Sequence, residues 1–245
     1  MILASVIKSL GKLWTQLFSG SGTEGMDCGA VTCVNLIQWA SHGKIYPIPG
    51  LAAWIPGSLG WWVKKVRRIA GNPNRPMLVE GDIFQVLNSN EIQAELHKVG
   101  VSRMYAWYNY GKSYTELRLW LEESTSHAAM LAINYGVARA NGAPMGSNSF
   151  SGGHAIMVTG IQRIRQRVRV KGHWRYPRRY FWAVGDPLFD GRRKPVSLKR
   201  YPKGFQKARV FNYRKAAGAF GSGPHGEPRP IGQGRSICVT VVRGN

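Results

Sequence analysis

A chain of 245 residues with 44% hydrophobic content can bury a full core, and nothing in it separates two self-sufficient halves, so a single domain over 1–245 is expected. The three cysteines, Cys28, Cys33 and Cys238, make no even framework and are expected as free thiols. No stretch reaches the ~20 apolar residues of a membrane span, so a disulfide scaffold and a transmembrane segment are both excluded. The formal net charge of +22 points to anionic partners.

The first predicted element is an amphipathic helix over 1–20. Ile2, Leu3, Val6, Ile7, Leu10, Leu13, Trp14, Leu17 and Phe18 fall at helical offsets, with Lys8 and Lys12 on the other face. Those lysines interrupt any signal-peptide core, so the chain is expected to be made in the cytoplasm without a signal peptide. Three roles are open to the helix, packing on its own domain, docking on partner subunits or lying on a membrane surface, and the first two are favoured because a helix ahead of the Cys28 helix commonly packs beside it. A Gly-rich run, Ser19 to Gly25, leads to a second helix from about Cys28 to Ser41, stopped by Gly43 in the left-handed capping position.

Gly43 to Gly57 is Pro-rich and aromatic, and reads as a loop. A helix follows at about Ser58 to Ala70, with Lys64, Lys65, Arg67 and Arg68 on its polar side and a stop at Asn72-Pro73. Glu80 to Val99 reads as helix in two registers broken near Asn88-Ser89-Asn90. Tyr114 to Glu123 reads as another, capped by Ser113. After Ser126 the period changes: Ala128–Tyr135, Ala155–Ile161, Phe181–Val184 and Ile237–Val242 have strand length and strand composition. Gly142 to Gly153 is a polar loop, and 216–236 is a Gly/Pro-rich arm. The expected class is α+β, a helical N-terminal half packed on a C-terminal antiparallel sheet.

The charge is local. Residues 1–162 hold 13 Lys and Arg against 9 Asp and Glu, residues 163–215 hold 18 against 2, and residues 216–245 hold 3 against 1. Arg163, Arg165, Arg167, Arg169 and Lys171 alternate with other residues, the period that puts every charge on one face of a strand. A basic hairpin over 163–180 is expected, continued in charge by Arg175, Arg178, Arg179, Arg192, Arg193 and Lys194. So dense a one-signed strip repels itself unless an anionic polymer meets it. Trp174, Tyr176, Tyr180, Trp182, Tyr201 and Phe205 are interleaved with it, as on surfaces that stack bases or sugar rings, so both nucleic acid and cell wall fit.

Three positions carry the chemistry. Cys28 opens a helix, where unpaired N–H groups and the helix dipole favour the thiolate. His154 stands between a Gly-rich loop and an apolar strand, and Asp186 follows the strand Phe181–Val184 in a Gly-Asp-Pro turn. A thiolate needs a base, and the imidazole needs a third group to fix its tautomer. Asp27-Cys28-Gly29-Ala30 before a helix, Gly153-His154 before a strand and Asp186-Pro187 after one resemble the papain-like cysteine peptidases of the bacteriocin-leader-processing type and their phage and bacterial relatives, over about residues 22 to 211.

That resemblance implies a papain-like fold, a Cys28–His154–Asp186 triad and a peptide or peptidoglycan substrate. The lone basic domain fits a phage virion or tail enzyme that cuts peptidoglycan cross-links. Relatives carry a Gln about six residues before the nucleophile; here Gly22 stands there, leaving Gln16 or Thr23 as oxyanion candidates. The competing expectation is a catalytically weak or inactive papain-like structural protein of a viral or phage assembly that binds a polyanion through the hairpin. A third is a nucleic-acid-binding protein without peptidase ancestry. No cofactor is expected, and Cys28, Cys33 and His42 lack zinc spacing, so no metal is expected either.

Overall fold

The computed structural model describes residues 2–5, 27–48, 51–71, 73, 78–134, 153–165, 168–176, 178–185, 187, 208–212 and 235–244. Within them, helices α1 (Cys28–Ala40), α2 (Leu59–Ile69), α3 (Glu80–Asn88), α4 (Asn90–Lys98) and α5 (Tyr114–Glu123) accompany nine strands. These are β1 (Ile2–Ser5), β2 (Met104–Ser113), β3 (His127–Asn134), β4 (Gly153–Arg165), β5 (Val168–Val170), β6 (His173–Arg175), β7 (Arg178–Gly185), β8 (Ala208–Asn212) and β9 (Arg235–Arg243). The architecture is mixed helix and antiparallel sheet, as the α+β reading expects.

Helix α1 sets the arrangement. Its residues are apolar nearly all round, and all thirteen are buried, as such a helix must be. It packs on β4 and β3 and is covered by α2, α3 and α4. The helix ends where the sequence expects: Gly43 has φ +80°, and its N–H bonds the Gln38 carbonyl at 2.8 Å. Ser58 caps α2 by accepting the Trp61 N–H at 3.1 Å, and Ser89 separates α3 from α4 while capping the latter through the Ile92 N–H.

The main sheet runs β2-β9-β3-β4-β7-β8, with β1 on β4. Strand β4 pairs with β3 through residues 153–158 and with β7 from Met157 to Arg165; β1 pairs with 162–164. The strand alternation gives the sheet two apolar faces. Met104, Ala106, Met130, Val239 and Val241 join the core around α1, while α5 buries Leu117 and Leu121 and packs on β2, β3 and β4. The β2 edge is closed by side chains. Asn88 and Gln93 each exchange a pair of hydrogen bonds with the backbone of Ala106 and Met104 respectively, at 2.9–3.2 Å, as a further strand would.

Four expectations are corrected. Where the N-terminal periodicity predicts helix, Ile2–Ser5 form a strand paired antiparallel to β4; an open strand edge offers that short segment more backbone hydrogen bonds than one helical turn would. Residues 6–20 of that helix lie outside the described residues. Strand β2 interrupts the half expected to be helical. His154 stands inside β4, paired with Ile133, rather than ahead of the strand. Arg67, read as part of a solvated face, is buried. The basic stretch does turn back on itself: β5 and β6 pair Val168 with Arg175, and Lys171 and Gly172 make the turn, both with positive φ. The 216–234 part of the Gly/Pro-rich arm lies outside the described residues. Among the described residues, no helix is long and apolar enough to cross a membrane.

Candidate active site

Cys28 is the first residue of α1, 5% exposed, and His154, the second residue of β4, is 2% exposed. Two elements 126 positions apart in sequence are thereby brought to one point. A hydrogen bond between the two elements helps to hold them there: the Thr32 hydroxyl, one turn along α1 from Cys28, donates to the Ala155 carbonyl at 3.2 Å. Gly29 lets the helix start approach the chain before α3, because a Cβ at that position would lie 2.6 Å from the Leu78 carbonyl oxygen.

The electrostatics at the sulfur follow from this packing. Burial alone pushes the Cys28 thiol up, but the hydrogen bond and charge attraction from His154, with backbone hydrogen bonds from Ala155 and Gly29, outweigh it and hold the thiol below its ordinary value. Cys33 lies five residues further along the same buried helix without such neighbours, and burial pushes its thiol up. The contrast isolates the cause. Two buried thiols on one helix differ in the direction of their shift because only one faces an imidazole and a helix start.

Asp27 behaves unlike an ordinary residue before a helix. It occupies the N-cap position, yet its carboxylate makes no capping bond to α1; it accepts from Arg67 of α2 instead. Both side chains are buried. This ion pair ties the residue before Cys28 to a second helix, and its energetics are those of a buried pair: removing one partner strands the other charge. Sequence reasoning missed it. The signal was present, since Arg67 stands one helical turn from Val63 and adjoins Val66, both buried, and so lies on the apolar stripe of α2.

The remaining sequence candidates divide. Asp186 lies outside the described residues; the residue before it, Gly185, is paired with Met157, three positions from His154 along β4. Gln16, Thr23, Arg167, Arg192, Arg193 and Lys194 also lie outside. Arg163 and Arg165 are placed on β4, opposite Tyr180 and Arg178, and Arg178 and Arg179 on β7. Arg169, Lys171 and Arg175 are exposed on the β5–β6 hairpin, where the Arg169 guanidinium sits 5.9 Å from the centre of the Trp174 ring. Trp174 and Tyr176 are exposed beside it.

The arrangement therefore supplies an activated sulfur, a neighbouring imidazole and a fixed helix start. That is the equipment of nucleophilic attack on an acyl group. Compared with protein-family models and with curated proteins, the chain matches none.

Proposed function

We propose that the protein is a papain-like cysteine endopeptidase whose nucleophile is Cys28 and whose base is His154, acting on peptide bonds of peptidoglycan cross-links or a similar peptide. The reading is supported above all by a buried thiol held below its ordinary value by a histidine from another element. In this mechanism the Cys28 thiolate adds to the substrate carbonyl carbon, and the negative charge moves to the carbonyl oxygen. The Cys28 backbone N–H at the helix start serves as one donor to that oxygen. The His154 imidazolium then protonates the departing amine, leaving a thioester on Cys28. Water, deprotonated by His154, attacks the thioester, and the acid product leaves with the thiol restored. Asp186 is assigned to orient His154, and Gln16 or Thr23 to add a second oxyanion donor. The place of work is a phage virion or tail, or a bacterial lytic enzyme, with the basic hairpin holding an anionic polymer such as cell wall or nucleic acid.

A second reading, a catalytically silent structural protein that binds a polyanion, takes support from the burial of Cys28 and His154, since turnover requires a substrate carbonyl to reach the sulfur. Mass-spectrometric product analysis with cross-linked muropeptides and a peptide library separates the two. The peptidase reading expects product from wild type and none from Cys28→Ala. No product above the Cys28→Ala level on either substrate class leaves the structural reading.

A further inference from the structure

The loop between α1 and α2 carries the most exposed large hydrophobic side chain among the described residues: Trp54 is 76% exposed, with Ile48 at 50% and Tyr46 and Leu51 also open. Protein surfaces normally scatter such side chains singly. Here they share one short loop that is held by its own backbone: the Ile48 N–H bonds the Gly57 carbonyl at 2.8 Å, and the Ile55 N–H bonds the Ala52 carbonyl at 2.9 Å. Polar backbone groups satisfied internally are a condition for entering an apolar medium.

The charge in the sequence that flanks the loop is of one sign. From Cys28 to Val79 the sequence has no Asp or Glu, and Lys44 and Lys64, on either side of the loop, are exposed; the Lys44 ammonium also donates to the Val99 carbonyl at 2.8 Å, which fixes it beside the loop. Lys65 and Arg68, further along α2, are matched by Glu95 and Glu91 of α4. An apolar, aromatic tip flanked by lysines is complementary to an anionic bilayer, whose headgroups attract cations and whose interface accommodates Trp and Tyr.

The position suits such a contact. Arg67, near the end of α2, meets Asp27 at the start of α1, so α2 runs back along α1 and the loop lies at the far end of the pair. A helix of 13 residues puts that end about 20 Å from Cys28, so a bilayer beneath the loop leaves the nucleophile end uncovered. We propose that residues 46–48 and 51–57 dock the protein on anionic lipid membranes. Ile48, Leu51 and Trp54 enter the boundary between headgroups and acyl chains, and Lys44 and Lys64 meet lipid phosphates. The docking is independent of turnover at Cys28.

The test is sedimentation of the full chain with vesicles of equal parts phosphatidylglycerol and phosphatidylcholine, and with phosphatidylcholine alone, at physiological ionic strength. Binding to the anionic vesicles is expected. Leu51→Ser with Trp54→Ser should weaken it at least about tenfold, from the apolar area removed, with retention on immobilised heparin and the melting temperature unchanged. Heparin reports the basic hairpin separately. No wild-type binding overturns the proposal. So does equal vesicle binding by wild type and the double variant, which assigns the attraction to the basic hairpin. A lowered melting temperature in the variant also overturns it, because the tip then packs on its own chain. A wild-type dimer that the variant abolishes, with no vesicle binding, makes the loop a self-association surface and overturns it as well.

Discussion

At the start of α1, Asp27, Cys28, Arg67 and His154 are all buried, and each is held by a group of another element. On the β5–β6 hairpin, Arg169, Lys171 and Arg175 stand in water. The two regions use polar groups in opposite ways. A buried charge has lost its hydration and depends on its partner, so position and stability are bound together there. An exposed charge costs the fold little and is available to something outside it. Substitutions should therefore separate the regions cleanly.

The largest effect is expected at the sulfur. On the peptidase reading Cys28→Ala and His154→Ala each lower turnover by a factor on the order of 10^4 or more, measured with muropeptide substrates, while far-ultraviolet circular dichroism stays that of wild type. Alkylation sharpens the same point without any substrate. Iodoacetamide reacts with the thiolate, and the Cys28 thiol is held below its ordinary value, so its rate–pH profile should rise at lower pH than that of an ordinary free thiol, near 8.5. Cys33, pushed the other way by burial, should label only on unfolding. In His154→Ala the Cys28 profile should shift to higher pH. Equal labelling of Cys28 and Cys33 in the native protein contradicts the assignment.

Next in size is the ion pair beside Cys28. Arg67→Met or Asp27→Ala alone should destabilise the fold by about 3–5 kcal/mol, because each strands a buried charge. The double replacement should recover much of that loss, read as the coupling in a urea-denaturation cycle. A surface residue of the kind the sequence suggested for Arg67 would give less than about 0.5 kcal/mol.

That misreading shows what the sequence could and could not carry. Helix ends were legible because single residues encode them: Ser58, Ser89 and Gly43 act locally, and each performs the role its chemistry implies. Cys28 and His154 stood out in the sequence because each is a reactive group next to Gly near the start of an element, and the structure brings the two together. The partner of Asp27 was not, since an Asp ahead of a helix reads as a cap and only the packing of α2 on α1 diverts it to Arg67. Strand β2 was hidden for a related reason. Tyr105, Trp107 and Tyr108 are large and exposed on both parities, so no clean alternation marks the strand; it is fixed by β9, more than a hundred residues later, through pairs such as Asn109 with Cys238. The N-terminal segment failed the same way, since the pairing of Ile2–Ser5 with β4 is non-local.

A third, smaller effect tests the closed edge of that strand. Asn88→Ala and Gln93→Ala each leave a backbone N–H and carbonyl of β2 without their side-chain partner. Each should cost about 1–3 kcal/mol in chemical denaturation. Gln93→Ala should fall at the upper end, because Met104 is fully buried and water cannot take the amide's place. Loss of under about 0.5 kcal/mol would mean that the edge is solvated.

The smallest effect on stability, and the sharpest contrast with the Asp27–Arg67 pair, belongs to the hairpin. Arg169→Gln, Lys171→Gln and Arg175→Gln together should change the unfolding free energy by no more than about 0.5 kcal/mol, because all three side chains are exposed. Their effect should appear in binding instead. If they neutralise phosphates, affinity for duplex DNA falls log-linearly with salt, and the triple variant lowers the slope by about 0.9 for each contact removed. Trp174→Ala, beneath Arg169, should weaken binding to single strands more than to duplex, since an exposed ring stacks on unpaired bases. An unchanged slope in the triple variant would make the hairpin a solvated face and leave polyanion binding, if present, to other residues. A large loss of stability would instead show that these charges are held as the buried ones are, and the distinction between the two regions would fail.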